Sequence, residues 1–413
     1  MPSFEPLAID WLAPLLARVQ GVGGMRRGSE SAEFQQRVEQ LLCPPLPARQ
    51  WETEVWPARL ADYRPDPLDR LLGESELRWI GEEGQKVSFC FEAELDLRDA
   101  SEPETAEATE GVRSLFRDPE GRYDLSALAR SSEEAPSRLL ARMWSAIWEG
   151  EVTSDSFAAI RRGVENGFAE SQEAVASPAI RSPRRGRWRS ATPLAGTWRL
   201  LPAHEPAADR IELEERNKDR VRILLDRYGI LFRQLLLREA PGFRWRDVFR
   251  SLRLMELAGE VVGGCFFHGI DGLQFMSQRA FRRLADGLDE SRVFWLNACD
   301  PASLCGLSLA ALERPLPRRV PTTHLAYRGA ELIFSSRRSG RELEFHVDPS
   351  DERISEYLAP LRHLMTRAVE PLRQVTVERI NEQGARSSPY LPALRACFDV
   401  MAGPKDVTLG MRR

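Results

Sequence analysis

The apolar positions of this chain recur at two spacings, and the spacings alternate in a repeating order. WLAPLLARV (11–19) carries its apolar residues at helical intervals, and GVGG interrupts them. SAEFQQRVEQLL (31–42) resumes the period with Ser31 placed to cap a second helix. CPPLP then stops it, because proline has no N–H with which to continue a helix. DPLDRLLG predicts a short helix ending at Gly73, and ELRWI and KVSFCFE, parted by GEEGQ, predict a β-hairpin. A short helix feeding a hairpin is the back half of a winged helix.

The order returns between 121 and 200. DLSALARS, capped by Asp124, and SRLLARMWSAIWEG predict helices, and GRWRS and GTWRLLP predict strands. It is plainest at 211–276, where LEERNKDRVRILLDRYG, ILFRQLLLRE and RWRDVFRSLRLMELAG predict helices and EVVGGCFFHG with LQFMS predicts a wing. Residues 291–348 turn to short strands with glycine turns, and 351–381 return to helix. The pattern as a whole predicts an α+β protein, tandem winged-helix domains packed with a small β-barrel or sheet domain. The expected pieces are a helical and winged-helix domain with hairpin at 1–92, an acidic linker at 93–120 and a winged-helix-like domain with a basic loop at 121–205. A winged-helix domain at 206–285, a barrel-like domain at 286–350 and a C-terminal helical segment and tail at 351–413 follow.

Composition narrows the class without naming a function. A chain of 413 residues, 42% hydrophobic and 29% charged, buries a core with no need of disulfides or metal. No apolar run approaches the ~18 residues that span a membrane, so no membrane partner is expected. The opening MPSFEPLAIDWLAPLL has Asp10 inside its apolar stretch and reads as the first helix of the fold rather than as a signal peptide. The six cysteines (43, 90, 265, 299, 305, 397) form no C-x-x-C pair and the five histidines are scattered. Reduced thiols, a cytoplasmic setting and no metal or organic cofactor are the expectation. Net charge is −4, yet residues 181–260 hold eighteen basic and eleven acidic residues. A local basic face binds phosphates whatever the total charge.

Three features carry chemistry. On the helix expected at 244–259, Arg246, Arg250 and Arg253 share a face away from the stripe of Trp245, Val248, Phe249, Leu252 and Met255. In a helix-turn-helix such a face meets DNA; on a core helix it is simply solvated. RSPRRGRWRS sets Arg181, Arg184, Arg185, Arg187 and Arg189 around Trp188, a group able to pair with phosphates and stack on an unpaired base, or to form a plain basic loop. Gln50-Trp51-Glu52 puts a carboxylate beside aromatic surface, where burial would raise its pKa and make it a base, although an exposed helix glutamate fits the spacing too. No G-x-x-x-x-G-K-[ST], DEAD or DEAH box, H-E-x-x-H or G-x-S-x-G occurs, which leaves P-loop ATPases and the hydrolases known by such motifs without support.

Several of these segments resemble the C-terminal region of the bacterial large helicase-related (Lhr) proteins. The likeness is carried by WETEVWPARLADYRPDPLDRLLGESELRWIG, LLARMWSAIWEGEVTSDSFAAIR, GTWRLL, LNACDP and VERINEQGARSSP. Its longest stretch is LLDRYGILFRQLLLREAPGFRWRDVFRSLRLMELAGEVVGGCFFHGIDGLQFM. It implies a bacterial DNA-repair module of a family that usually joins this region to an ATP-driven helicase core; that core is not in this sequence, so the chain is expected to be either a free-standing homologue or a fragment of a longer helicase. It also implies a fold similar to the AlkZ-type DNA glycosylases, whose Gln-x-Gln or Gln-x-Asp signature Gln50-Trp51-Glu52 resembles with glutamate in the last place. On that likeness Glu52 or Asp300 stabilises an oxocarbenium-like sugar, Gln50 holds the base or water, and uracil is a candidate substrate. Asp406 is a further carboxylate to locate. The partners expected are single- or double-stranded DNA, a helicase core and a second copy of the chain. A non-catalytic DNA-binding or oligomerisation module and a winged-helix transcription regulator remain alternatives.

Overall fold

A computed structural model describes residues 5–24, 30–98, 111–132, 134–168, 194–203 and 206–412. The side chain of Ser31, the expected cap, lies outside the described part, as does the whole of GRWRS. The chain forms two compact units. Met1–Gln40, Gln50–Arg64 and Leu213–Arg413 make one, and Leu41–Arg49 and Pro65–Glu212 the other.

In the first unit the helix Arg210–Tyr228 ends where Gly229 takes φ +71°. Ile230–Leu231 then runs as a strand, not as the start of the helix expected for ILFRQLLLRE. Both residues are fully buried and pair with Met276 and Phe275, so sheet pairing overrides the helical spacing of this short apolar run. A short helix, Arg233–Leu236, and the amphipathic helix Trp245–Leu257 follow. The strands Val261–Gly264 and Gln274–Ser277 complete a three-stranded sheet with Gln274–Ser277 in the middle. Three helices with such a sheet and wing are the winged-helix arrangement.

The region expected as a barrel supplies four strands of a six-stranded sheet, completed by two short strands from the C-terminal segment. Its order is Gln383–Gly384, Arg379–Ile380, Glu342–Phe345, Glu331–Arg337, His324–Arg328, Val293–Asn297, and its two outer strands are not paired with each other. The helix Ala359–Thr366 packs on this sheet, and Phe334, Phe345, Tyr357, Leu361, Val377 and Leu409 belong to the core around it. The C-terminal part is not only helical segment and tail. Val407–Gly410 pairs with both Asp399–Ala402 and Val375–Val377, and buries Val407 and Leu409 at alternate positions. Four-residue strands bounded by GPKD leave too little periodicity for sequence reading.

In the second unit the hairpin Leu77–Glu82 and Lys86–Phe91 gains a third strand from Leu46–Pro47. Helices Asp66–Glu74, Leu125–Ser132, Pro136–Trp148 and Ala158–Glu165 and the strand pair Val152–Ser154 and Trp198–Leu200 form its remainder. Asp124 caps its helix by accepting from the Ala127 amide at 2.7 Å. Within the acidic stretch, Leu97, Val112, Leu115 and Phe116 are buried.

Two cysteines far apart in sequence meet here. Leu46 faces Val87 and Pro47 faces Lys86, and Cys43, three residues before this strand and at φ +67°, comes up against Cys90. The Cys43 amide donates to the Phe89 carbonyl at 2.8 Å, and the two buried sulfurs are 2.9 Å apart. A disulfide needs its two sulfurs to close to about 2 Å, so sulfurs already this near need little movement to join. Mild peroxide should therefore join Cys43 to Cys90, detected as a linked peptide pair by mass spectrometry. A first linkage through Cys265, the exposed thiol, would contradict this.

Candidate functional site

QWETEVWPAR builds the polar centre of the first unit. Pro57 has no N–H, and its ring disfavours a regular turn against the carbonyl four residues back. The backbone widens accordingly: Trp51–Val55 is a π-turn in which the Trp56 amide donates to the Trp51 carbonyl. Trp51 and Trp56, both fully buried with rings 4.9 Å apart, lock the turn in place. The Thr53 carbonyl, left without the Pro57 donor, accepts instead from His363 Nε2 at 2.7 Å.

The turn sends a row of polar side chains inward. Gln50 is 4% exposed, and among the described residues its amide meets no hydrogen-bonding group other than the Cys299 thiol beside it. Burial pushes the Cys299 thiol up and the Gln50 contact works against that shift. Glu52 is buried and accepts from the Tyr63 hydroxyl at 2.9 Å. Glu54 accepts from His324 Nε2 at 2.8 Å and from Arg367 at 2.7 Å, with His363 Nε2 at 3.5 Å. Burial pushes the Glu54 carboxyl up, but charge attraction and hydrogen bonds from His324, then His363, outweigh it and hold the carboxyl well below the usual range.

Asp300, expected to line a cleft, is fully buried with both oxygens engaged. Arg59 donates to Oδ2 at 2.8 Å and Oδ1 at 2.9 Å, and the Ala302 amide donates to Oδ1 at 2.8 Å. Arg59 also bonds the Val55 carbonyl and Gln20. Arg319 in turn clamps the carbonyls of Ala298, Cys299 and Asp300. Gln50 and Cys299 are therefore brought together, and Asp300 serves to hold the turn that carries Cys299. Asp406 lies at the turn of the C-terminal hairpin, where its carbonyl accepts from Gly403.

The arginine face of Trp245–Leu257 is exposed. Trp245 and Phe249 pack on Phe275, which turns Arg246, Arg250 and Arg253 outward with side chains 77%, 72% and 47% exposed. Each has a carboxylate neighbour, respectively Asp247, Glu214 and Glu256. Exposed pairs of this kind are worth only ~0–1 kcal/mol, so the carboxylates hold these guanidiniums weakly. Arg181, Arg184, Arg185, Arg187, Trp188 and Arg189 lie outside the described residues. Among the described residues, no group of three or more His, Cys, Asp or Glu is placed to hold a metal ion. No described helix is long and apolar enough to cross a membrane.

Sequence reading missed Glu54, His324, His363, Arg367, Arg59 and Cys299. One signal was present: a proline inside a helical stretch announces an orphaned carbonyl at Thr53, and with it a donor to be found.

Comparison with known proteins shows what this chain is similar to. Residues 9–92 and 210–293 each match a winged-helix domain family of the large helicase-related protein. The chain is 28% identical over 449 aligned positions to the "Lhr helicase/uracil glycosylase" of Escherichia coli K12, covering 95% of this chain. It is 29% identical over 405 positions to the "Lhr helicase/ probable uracil glycosylase" of Mycolicibacterium smegmatis, covering 91%. It spans only 28% and 26% of the lengths of these two relatives. Among solved structures, the DNA glycosylase AlkZ of Streptomyces sahachiroi superposes with a TM-score of 0.44 at 14% identity, over 87% of this chain and 97% of that one.

Proposed function

We propose that this chain, a homologue of the large helicase-related proteins, binds DNA without hydrolysing ATP and excises a damaged base, with uracil the first substrate to test. The observation that carries the reading is Gln50: a buried amide left under-satisfied, with the Cys299 thiol as its one polar neighbour among the described residues, two positions from a buried glutamate. An under-satisfied buried amide costs about 1–3 kcal/mol, a cost a bound base removes by hydrogen bonding to it. Both full-length relatives carry uracil glycosylase in their names.

In this mechanism the arginine face of Trp245–Leu257 holds the phosphate backbone, and the target nucleotide leaves the stack. Gln50 hydrogen-bonds the base. The bond between C1′ and the base nitrogen breaks, its electron pair leaving with the base. The Glu52 carboxylate stabilises the positive sugar and takes a proton from the water that adds at C1′. Asp300 acts at a distance, by fixing Arg59 and the turn that carries Cys299. A helicase core would be supplied in trans or by a longer chain.

The test is incubation with uracil-containing single-stranded and duplex DNA followed by alkali. Strand breaks are expected, lowered about 10²–10⁴-fold by Glu52→Gln. DNA binding is expected to weaken, with a shallower salt dependence, when Arg246, Arg250 and Arg253 become alanine. A second reading, a DNA-binding module without excision, is favoured by the engagement of Glu52 with Tyr63 and of Asp300 with Arg59. Binding with no strand breaks on any of these substrates would select it.

A further inference from the structure

A second group of arginines converges in the first unit, on segments other than the helix that sequence reading singled out. Four separate segments supply it. Arg18, in the last turn of Leu12–Val19, donates to the Gly287 carbonyl at 2.8 Å and reaches the Arg283 carbonyl at 3.4 Å. It thereby joins the end of Gln278–Ala285, the helix carrying Arg279 and Arg283 one turn apart. Arg292 donates to the Val22 carbonyl at 2.6 Å. The Arg37 guanidinium lies so close over Gly21 that a Cβ there would meet it at 2.4 Å. Arg18, Arg37 and Arg292 thus gather on the turn at 18–24, and Arg279 and Arg283 extend the group along one helix.

Little charge opposes them. Among the described residues, Glu33 is the only carboxylate within ion-pair distance of any of the five, 3.5 Å from Arg37. Asp226 acts on Arg279 and Asp289 on Arg292 from farther off. Burial first, then Arg279, Arg18 and Arg37, hold the Arg283 guanidinium below its usual value. The same holds for Arg292, where burial leads and Arg18 and Arg37 add to it. Crowding like charges in partly buried positions is unfavourable until an anion joins them, and the planar arginine fork is shaped for phosphate oxygens.

The same turn leads to the site already described. Gln20 accepts from Arg59 at 2.7 Å, and the Gly23 amide donates to the Ala58 carbonyl at 2.8 Å. Arg59 holds Asp300, next in sequence to Cys299, which lies beside Gln50. From this continuity we propose that Arg18, Arg37, Arg279, Arg283 and Arg292 form a second phosphate-binding surface, one that grips the nucleic-acid backbone flanking the nucleotide presented to Gln50. The proposal rests on the DNA-binding reading above.

The test uses the full chain and fluorescence anisotropy with a labelled single strand and its duplex, across a range of salt. Arg279→Ala with Arg283→Ala is expected to weaken binding about tenfold and to make the slope of log affinity against log salt shallower by about two. Arg279 is exposed, so Arg279→Glu alone should leave thermal unfolding unchanged and still weaken binding more than Arg279→Ala. Arg283→Lys, which keeps the charge, should restore most of the salt slope. If the Arg246, Arg250 and Arg253 variants lose affinity while Arg279→Glu matches wild type, this surface is refuted and the DNA-binding reading stands. If wild type binds neither probe at low salt, both fail.

Discussion

Replacing Arg59 with methionine is expected to destabilise the unit that contains it by about 3–5 kcal/mol. The guanidinium and the Asp300 carboxylate are both fully shielded from solvent. Removing Arg59 leaves Asp300 charged in the interior with only the Ala302 amide among the bonds described. Asp300→Leu should cost a similar amount, because Arg59 keeps only the Val55 carbonyl and Gln20 as neutral partners. The double variant is the informative one. With both charges gone, nothing in the interior is left uncompensated, and well-packed apolar replacements of a buried pair are often neutral. Urea unfolding of the four proteins gives the coupling energy directly. Strict additivity of the two single losses would show that the pair does not act as a pair. Asp300, a carboxylate singled out in sequence, is buried in the fold and engaged by Arg59. Its neighbour Cys299 keeps the exposure that Asp300 lacks.

What the sequence disclosed, and what it withheld, follows from how far apart the interacting residues are. The helix Trp245–Leu257 was legible because one stripe of apolar residues and one of arginines recur within a single helix, and Gly259 ends it. The wing was legible because its strands are neighbours in sequence. Ile230–Leu231 was not, since its strand character comes from pairing with Phe275 and Met276 more than forty residues on. The resemblance pointed to Gln50 and Glu52 in a contiguous motif, but Glu54, two positions further, gave no sign. Its partners are 270 residues away at His324 and 313 away at Arg367. The arginines of the second surface escaped for the same reason. Arg18 and Arg37 come from the beginning of the chain and Arg279, Arg283 and Arg292 from its second half, so no window contains them. Periodicity reports which face of an element is buried; it is silent on which charges the fold then brings together.

The acid limb of the stability curve should be shaped by Glu54. Its carboxyl is held well below the ordinary glutamate value of 4.5, because attraction from His324 and His363 outweighs the cost of burial. A depressed native pKa means that, on acidification, the unfolded chain takes up the proton first. The carboxylate's contribution is therefore complete above the ordinary value, and it drains away as pH falls below 4.5 towards the native value. In Glu54→Gln the acceptor remains but the charge does not. Arg367 is left at 2.7 Å from a neutral amide, and the His324 and His363 donors face a weaker acceptor. Breaking a buried ionic contact by removing one partner costs about 3–5 kcal/mol. Thermal unfolding of wild type and Glu54→Gln across pH should show a gap of that order that is flat from neutrality down to about pH 5 and narrows below it. A gap that stays constant through the acid range would mean that Glu54 is not ionised in the native protein, and that His324 and Arg367 are held by something other than its charge.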